Sequence, residues 1–401
     1  MMLSGPALRE RFQALDDFLL AHQALWRPRP FRHRRLPWEE RHPELAAWLR
    51  RRTLAEAETA HGQPEQLDAP EPFPQLAARA HELASLGELP SRDILLPEAR
   101  FASDVPGRKW QQIQAFSRHL RFATEPRHWL DWCSGKGHLG HLLAWQTGET
   151  TCLEHDPALV EAGRQLAQRR KVAARHLQQD VLAADAILQV RAEHTPVALH
   201  ACGDLHVRLL QLATRAGCRQ LAVAPCCYNR TSTPRYQPLS IAARASQLTL
   251  DRDDLSLPLS ETVTAGTRVR QQRDTSMARR LAFDLLQREL RSEDAYLPTP
   301  SLPSTWLHKD FHTYCRDLAA LKDLPTPPER DWPALEAQGW QRLAEVRNLE
   351  LLRALFRRPL ELWLLLDRAL YLEERGYQVR LGRFCAHQLS PRNLLLLAER
   401  P

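Results

Sequence analysis

The stretch HWLDWCSGKGHLGHLL, His128 to Leu143, limits what this chain can fold into more than any other. Trp129 to Cys133 are bulky or apolar and suit a buried parallel strand. Gly135, Gly137 and Gly140 follow at G-x-G-x-x-G spacing, and His138 to Trp145 can begin a helix. Glycines allow a sharp turn and a close approach to a ligand, and the helix start offers free N–H groups. A second strand, Thr150 to Leu153, ends in Glu154, an acid placed to accept hydrogen bonds from both ribose hydroxyls of a nucleotide.

Strand, glycine turn, helix and strand-end acid serve both NAD and S-adenosylmethionine (SAM). Two residues favour SAM. Asp180 follows a third short strand in HLQQDVL and can accept from an adenine amino group. Asp131, at the end of the first strand, can approach a methionine amino group. In these residues the chain resembles class I SAM-dependent methyltransferases: Asp131, Gly135 and Gly137 match the first motif, Glu154 the second and Asp180 the third. Cys133 departs from the pattern, standing where many of these enzymes have the first glycine, so a tighter or shifted turn is expected.

From Trp129 to Ala224 strands and helices alternate, which predicts a parallel sheet with right-handed crossovers. Strands are expected near 129–133, 150–154, 174–178, 196–200 and 219–224, and helices over 138–147, 157–170, 183–191 and 205–216. Ligands belong at the carboxyl ends of such strands. That puts Asp131, Glu154, Asp180, His200 and Cys226 on one rim. The fourth strand runs into LHACGDLH and the fifth into VAPCCYNR. Their loops offer His200, Cys202, Asp204, Cys226, Cys227, Tyr228 and Asn229. His200 or Asp204 can serve as a general base, and Cys226 or Cys227 as a nucleophile on a pyrimidine if its pKa is lowered. His200, Cys202, Cys226 and Cys227 are also good zinc ligands, while buried cysteines often only pack. The spacings make no CxxC…CxxC pattern, and no metal is assigned.

HACGDL and APCCYN, with Lys109–Trp110 upstream and SPRN near the end, resemble the methyltransferase-domain family that includes proteins once labelled ribosomal RNA adenine dimethylase-like. More distantly they are similar to tRNA 2′-O-methyltransferases, whose N-terminal zinc modules have no counterpart in this Cys/His pattern. The resemblance covers 108–224 and 349–399. It implies methyl transfer from SAM, with Asp131, Cys133, Gly135, Gly137, Glu154, Asp180 and His200 binding the cofactor. It also implies His200, Cys226, Cys227, Tyr228 and Asn229 lining the acceptor pocket. The expected fold is α/β, a class I methyltransferase (Rossmann-like) seven-stranded sheet with an antiparallel last strand, plus an N-terminal helical extension. Gln378–Cys385 and Leu394–Glu399 supply the sixth and seventh strands, joined by a structural turn through SPRN. The domains are then 1–100, helical, and 101–401, catalytic, with an insertion at about 230–348.

RNA is the expected acceptor, on the family resemblance and a net charge of +7. The basic run RPRPFRHRR, Arg27 to Arg35, reads as an RNA arm with Trp26 and Phe31 stacking on bases, or equally as a solvated linker. The Arg-rich Arg268–Arg280 reads as a phosphate-binding or solvated helix face, and Lys109 as a pocket or plain surface lysine. A protein or small-molecule acceptor, a non-catalytic SAM- or RNA-binding protein, and a redox or metal protein are the alternatives. With no secretory signal and no run of about 18 apolar residues, a cytoplasmic protein with reduced thiols and no membrane contact is expected.

Overall fold

The computed structural model describes residues 2–260 and 266–400. It divides into two compact units. One comprises Met1–Leu20, Leu83–Glu261 and Arg358–Pro401; the other comprises Ala21–Glu82 and Thr262–Arg357. Among the described residues no helix is long and apolar enough to cross a membrane.

The first unit is α/β. Its strands are β1 (Leu3–Ser4), β2 (His128–Trp132), β3 (Glu149–Glu154), β4 (Ala174–Gln178), β5 (His194–Leu199), β6 (Gln220–Ala224), β7 (Gln378–Arg383) and β8 (Leu394–Glu399). They form one sheet in the order β1-β7-β8-β6-β5-β2-β3-β4. β2 through β6 pair in parallel, and β8 runs antiparallel to both β6 and β7. This is the class I methyltransferase (Rossmann-like) sheet with its antiparallel last strand. The eighth strand is an addition: Leu3 and Ser4 pair antiparallel with Leu381 and Arg380 at the β7 edge. Two residues carry no alternation to read.

The chain builds outward through β2, β3 and β4, then returns to place β5 and β6 on the other side of β2. The order therefore reverses between β2 and β5, the switch point at whose carboxyl ends ligands bind in such sheets. The two tryptophans of β2 anchor both faces. Trp129 donates its indole N–H to Thr147 Oγ1 at 2.7 Å and Trp132 to the Leu205 carbonyl at 2.9 Å, so both are buried without an orphaned donor. The Gly107–His119 and His138–Thr147 helices pack one face through Ile113, Phe116, Leu139, Leu142 and Leu143. Asp156 caps the Pro157–Arg170 helix, accepting from Ala158 N at 2.8 Å.

Two expected helices differ. The segment expected as 183–191 is a short 3-10 helix, Ala184–Gln189. The amphipathic run expected as one helix from Leu349 to Arg375 is two, Trp332–Ala354 and Arg357–Glu373. Pro359 explains the break: it has no N–H to donate to the Leu355 carbonyl, and in a continuous helix its ring would strike that carbonyl. The second of these helices is buried almost all round: Leu360 and Leu362–Leu366 are fully buried, and the charged Glu361, Asp367 and Arg368 are buried with them.

Among the described residues, the regular elements of the second unit are all helices, joined by irregular segments. Thr267–Arg291 packs along Trp332–Ala354, so closely that a Cβ on Gly339 would stand 2.4 Å from the Ala278 carbonyl. The basic segment 27–35 is not an arm with free aromatics. Trp26 is fully buried and Phe31 packs edge-on against Tyr296. The backbone carbonyls of this segment are gripped from within the unit: Arg353 donates to Trp26 O at 2.6 Å, Arg342 to Pro30 O at 2.9 Å and Arg288 to Arg32 O at 3.0 Å. Base stacking by Trp26 is thereby ruled out, because its ring has no open face.

Candidate functional site

The glycine turn leaves β2 with three left-handed residues in alternation: Cys133 at φ 56°, Gly135 at 59° and Gly137 at 71°. Cys133 takes the left-handed backbone conformation that a glycine takes more easily. An L-residue there costs roughly 1–2 kcal/mol. Gly135 faces open space, with nothing within 4 Å of where a Cβ would sit. Gly137 instead turns inward, where a Cβ would meet the His176 ring at 2.4 Å.

Three acids stand on the rim. Asp131 is 3% exposed, and its Oδ2 accepts from Gly140 N at 2.9 Å. Burial pushes its pKa up to about 7, against the pull of that N–H and of Lys109. Glu154 is half-buried. Its Oε2 accepts from Gly135 N at 2.8 Å, and its Oε1 accepts from His155 N at 2.9 Å and Asp156 N at 3.0 Å. It thus holds the glycine turn and the start of the next loop with one carboxylate. Asp180 is exposed and accepts from Leu182 N at 2.9 Å. Cys133 lies within the electrostatic reach of all three and of Cys202; its thiol is pushed up to about 12, by burial first and then by Glu154 and Asp131. The residues taken from the first three motifs therefore converge.

His200 follows β5 at φ 67°, a left-handed position unusual for histidine, and its N–H donates to the Ala224 carbonyl of β6 at 3.0 Å. Gln112 Nε2 donates to Leu389 O at 3.0 Å, which turns Gln112 Oε1 toward His200 Nε2, 3.0 Å away. His200 Nε2 must then carry the proton and Nδ1 the lone pair. Burial, followed by the Lys109 charge, pushes His200 down to about 4, so the ring is neutral at pH 7. Gln112 was not legible as a site residue: it reads as one polar residue among several on the Gly107–His119 helix. Lys109 is exposed on that helix, with its charge felt by both Asp131 and His200.

The loops after β5 and β6 bring Cys202, Cys226 and Cys227 together. Their sulfurs all lie within 4.8 Å of one another, with Cys202 and Cys226 at 3.1 Å. Cys227 is held well below the usual thiol range by hydrogen bonds from Cys202 and Cys226, while Cys226 is driven up by the same contacts. Tyr228 is 1% exposed, lies under Arg368 at 5.0 Å and meets His206 edge-on; its hydroxyl and Asn229 Oδ1 are buried without a partner. The loop beyond is pinned by the buried Asp367, which accepts from Tyr236 Oη, from Leu239 N at 2.9 Å and from Ser240 N at 2.7 Å. In SPRN, Asn393 donates to Cys385 O at 2.9 Å and accepts from Arg358 at 2.6 Å, a turn-holding arrangement.

A cavity of about 440 Å³ also opens in this unit, lined by His128, Glu149, Thr151, Arg175 and His194. It lies at the amino ends of β2 to β5, opposite the acids and the glycine turn, and holds none of the rim residues.

Residues 108–234 match a family model described as a methyltransferase domain. No curated protein matches the chain. Solved structures also align at low identity and low TM-score, among them these three. One comes from work on conversion of a disulfide bond into a thioacetal group during echinomycin biosynthesis, at 17% identity and TM-score 0.22 over 34% of this chain and 54% of that one. The cofactor-bound Rv0187 from MTB aligns at 18% identity and TM-score 0.23 over 42% of this chain and 71% of that one. The 23S rRNA methyltransferase ErmE aligns at 12% identity and TM-score 0.23 over 63% of this chain and 99% of that one. The chain thus spans about half the length of the echinomycin-pathway protein. Alignments with so low a TM-score share too little geometry to say more about this chain.

Proposed function

We propose that this chain is a SAM-dependent methyltransferase whose acceptor is RNA. One observation carries the reading: Asp131, Glu154 and Asp180 stand at or just beyond the carboxyl ends of three adjacent parallel strands, around a left-handed turn, inside the stretch that matches a methyltransferase domain. The residues present fit the cofactor. The open space over Gly135 is a cradle, Glu154 would accept from the ribose hydroxyls, Asp180 from the adenine amino group, and Asp131 would face the methionine ammonium. SAM, when bound, supplies a methyl group on a positively charged sulfur.

The chain's own share is positioning, since in-line displacement depends on holding the acceptor close and aligned. His200 Nδ1 and the partnerless Oδ1 of the half-buried Asn229 are the polar atoms we assign to that task, while Tyr228 is packed in the core beneath Arg368. His200 accepts a hydrogen bond readily but takes up a proton only weakly at neutral pH, which suits orientation of an acceptor better than full deprotonation. Lys109 and Arg230 are exposed near His200 and Cys227, and with the net charge of +7 they favour a polyanionic acceptor.

Calorimetric titration with SAM, with NAD as control, tests the cofactor. Micromolar SAM binding that is lost in Glu154→Ala is the expected result; a folded protein that binds NAD and not SAM sinks the reading. Labelled methyl transfer to total RNA, abolished by ribonuclease and not by protease, tests the acceptor.

A further inference from the structure

We infer that Cys202, Cys226 and Cys227 form a binding site for one thiolate-preferring divalent cation, zinc being the fitting ion, that ties the loop after β5 to the loop after β6. Zinc holds sulfur at about 2.3 Å in a tetrahedron, which sets sulfurs about 3.8 Å apart. The three sulfurs here all fall within 4.8 Å, with the shortest pair at 3.1 Å. Binding therefore needs shifts of an ångström or less. The same pair is far outside the roughly 2.05 Å of a disulfide, and all three are free thiols.

The backbone around the cluster is fixed independently of the thiols. Gly203, at φ 52°, lies so close to the second loop that a Cβ would stand 1.8 Å from Arg230 O. Asp204 N donates to that same Arg230 O at 3.0 Å, and the Asp204 carboxylate accepts from Ser232 N at 2.6 Å. The two loops are thus clamped on the side next to the cysteines, which keeps the backbone of Cys202 close to the second loop. Such preorganisation is what a metal site needs from its scaffold. Charge is provided for as well. Three thiolates and one divalent ion carry net −1, and Arg392 and Arg230 are the cations that act on Cys227. Loading releases the thiol protons to solvent and forms three metal–sulfur bonds with no change of oxidation state. His200 is not one of the three ligands; its Nε2 is engaged by Gln112. Three protein ligands leave a fourth position open, the pattern of zinc sites that take an exogenous donor rather than of closed structural ones.

The site is independent of the methyltransferase reading, because its test uses neither SAM nor an acceptor. Reduced, metal-stripped full-length chain is titrated with Zn²⁺ against a chromophoric chelator, and with Co²⁺ while the near-ultraviolet thiolate charge-transfer band is followed. One ion per chain and a Co²⁺–thiolate band with tetrahedral visible absorption are expected. Cys202→Ala, Cys226→Ala and Cys227→Ala should each weaken binding by at least about tenfold, while Cys315→Ala leaves it unchanged. Absence of the charge-transfer band in the unmodified chain overturns the proposal whatever the variants do. So does a Cys202–Cys226 disulfide that forms in air and goes unhindered by prior loading with Zn²⁺. SAM calorimetry on the same samples reports separately on the cofactor pocket.

Discussion

Asp131 has one hydrogen-bond donor, the Gly140 N–H, for a carboxyl that is 3% exposed. Its pKa is raised from the ordinary 3.8 to about 7 by burial. The folded chain therefore holds this proton more tightly than the unfolded chain does. The group's contribution to stability is complete below pH 4 and lost as pH rises through 7. Asn keeps the volume and an oxygen for Gly140 N without the charge. Asp131→Asn should leave the urea midpoint at pH 8 unchanged or higher, while SAM affinity falls about tenfold through loss of a charge-assisted contact. A midpoint drop worth more than about 2 kcal/mol would mean that the ionised carboxylate is structural instead. Much at this scale was legible. Residue type and strand-end position marked Asp131, Glu154 and Asp180. The backbone sign at Cys133 was not, because a cysteine in a glycine's place does not say whether the turn moved or the residue bent. Gln112 was equally hidden, since only the fold brings its amide to His200.

Glycine at 140 sets how closely the His138–Thr147 helix lies on the sheet. A Cβ there would meet Cys152 Sγ at 2.6 Å, Thr150 Cγ2 at 2.9 Å and the Asp131 carboxylate at 3.1 Å. Two of these contacts are side chains of a buried strand with nowhere to move. Gly140→Ala should cost about 1–3 kcal/mol by overpacking, read as a lower urea midpoint with unchanged slope. Full retention of stability would mean that the helix slides freely on β3. The element rhythm between 128 and 224 was readable because each strand is short and punctuated, and most are apolar, although β4, ARHLQ, is not. Two things were not readable. Pro359 interrupts a run whose apolar spacing continues straight through it, and the pattern alone does not say whether a proline kinks or ends a helix. The other is the closeness of Cys202 to Cys226: the two loops were read onto one rim with joint zinc ligation as one option, but a 3.1 Å sulfur contact depends on β5 lying directly beside β6.

For the α/β unit taken whole, the histidines decide how it meets acid. His138, His176 and His194 are pushed down to about 4 and His141 to about 2, each by burial first, and His206 lies well below its ordinary 6.5 for the same reason. All five are under 9% exposed. The His141–His176 contact at 2.8 Å shows why. Arg170 donates to His141 Nδ1 at 3.1 Å, so His141 Nε2 must donate to His176 Nε2, and neither ring can take a second proton without breaking the chain of bonds. Neutral in the fold, these rings protonate freely once unfolded. Between pH 6.5 and 4 the unfolded chain binds more protons, so stability falls as pH falls through that window. At pH 5.5 each contributes a loss on the order of 1 kcal/mol, against a typical domain stability of about 5–15 kcal/mol. Asp131 works in the opposite sense over the same window, one group against these five and His200, which is also pushed down to about 4. The urea midpoint should therefore fall steeply from pH 7 to pH 5, with the sheet unit unfolding first by far-ultraviolet circular dichroism. A flat profile would mean that the histidines find proton partners in the fold that these contacts do not provide.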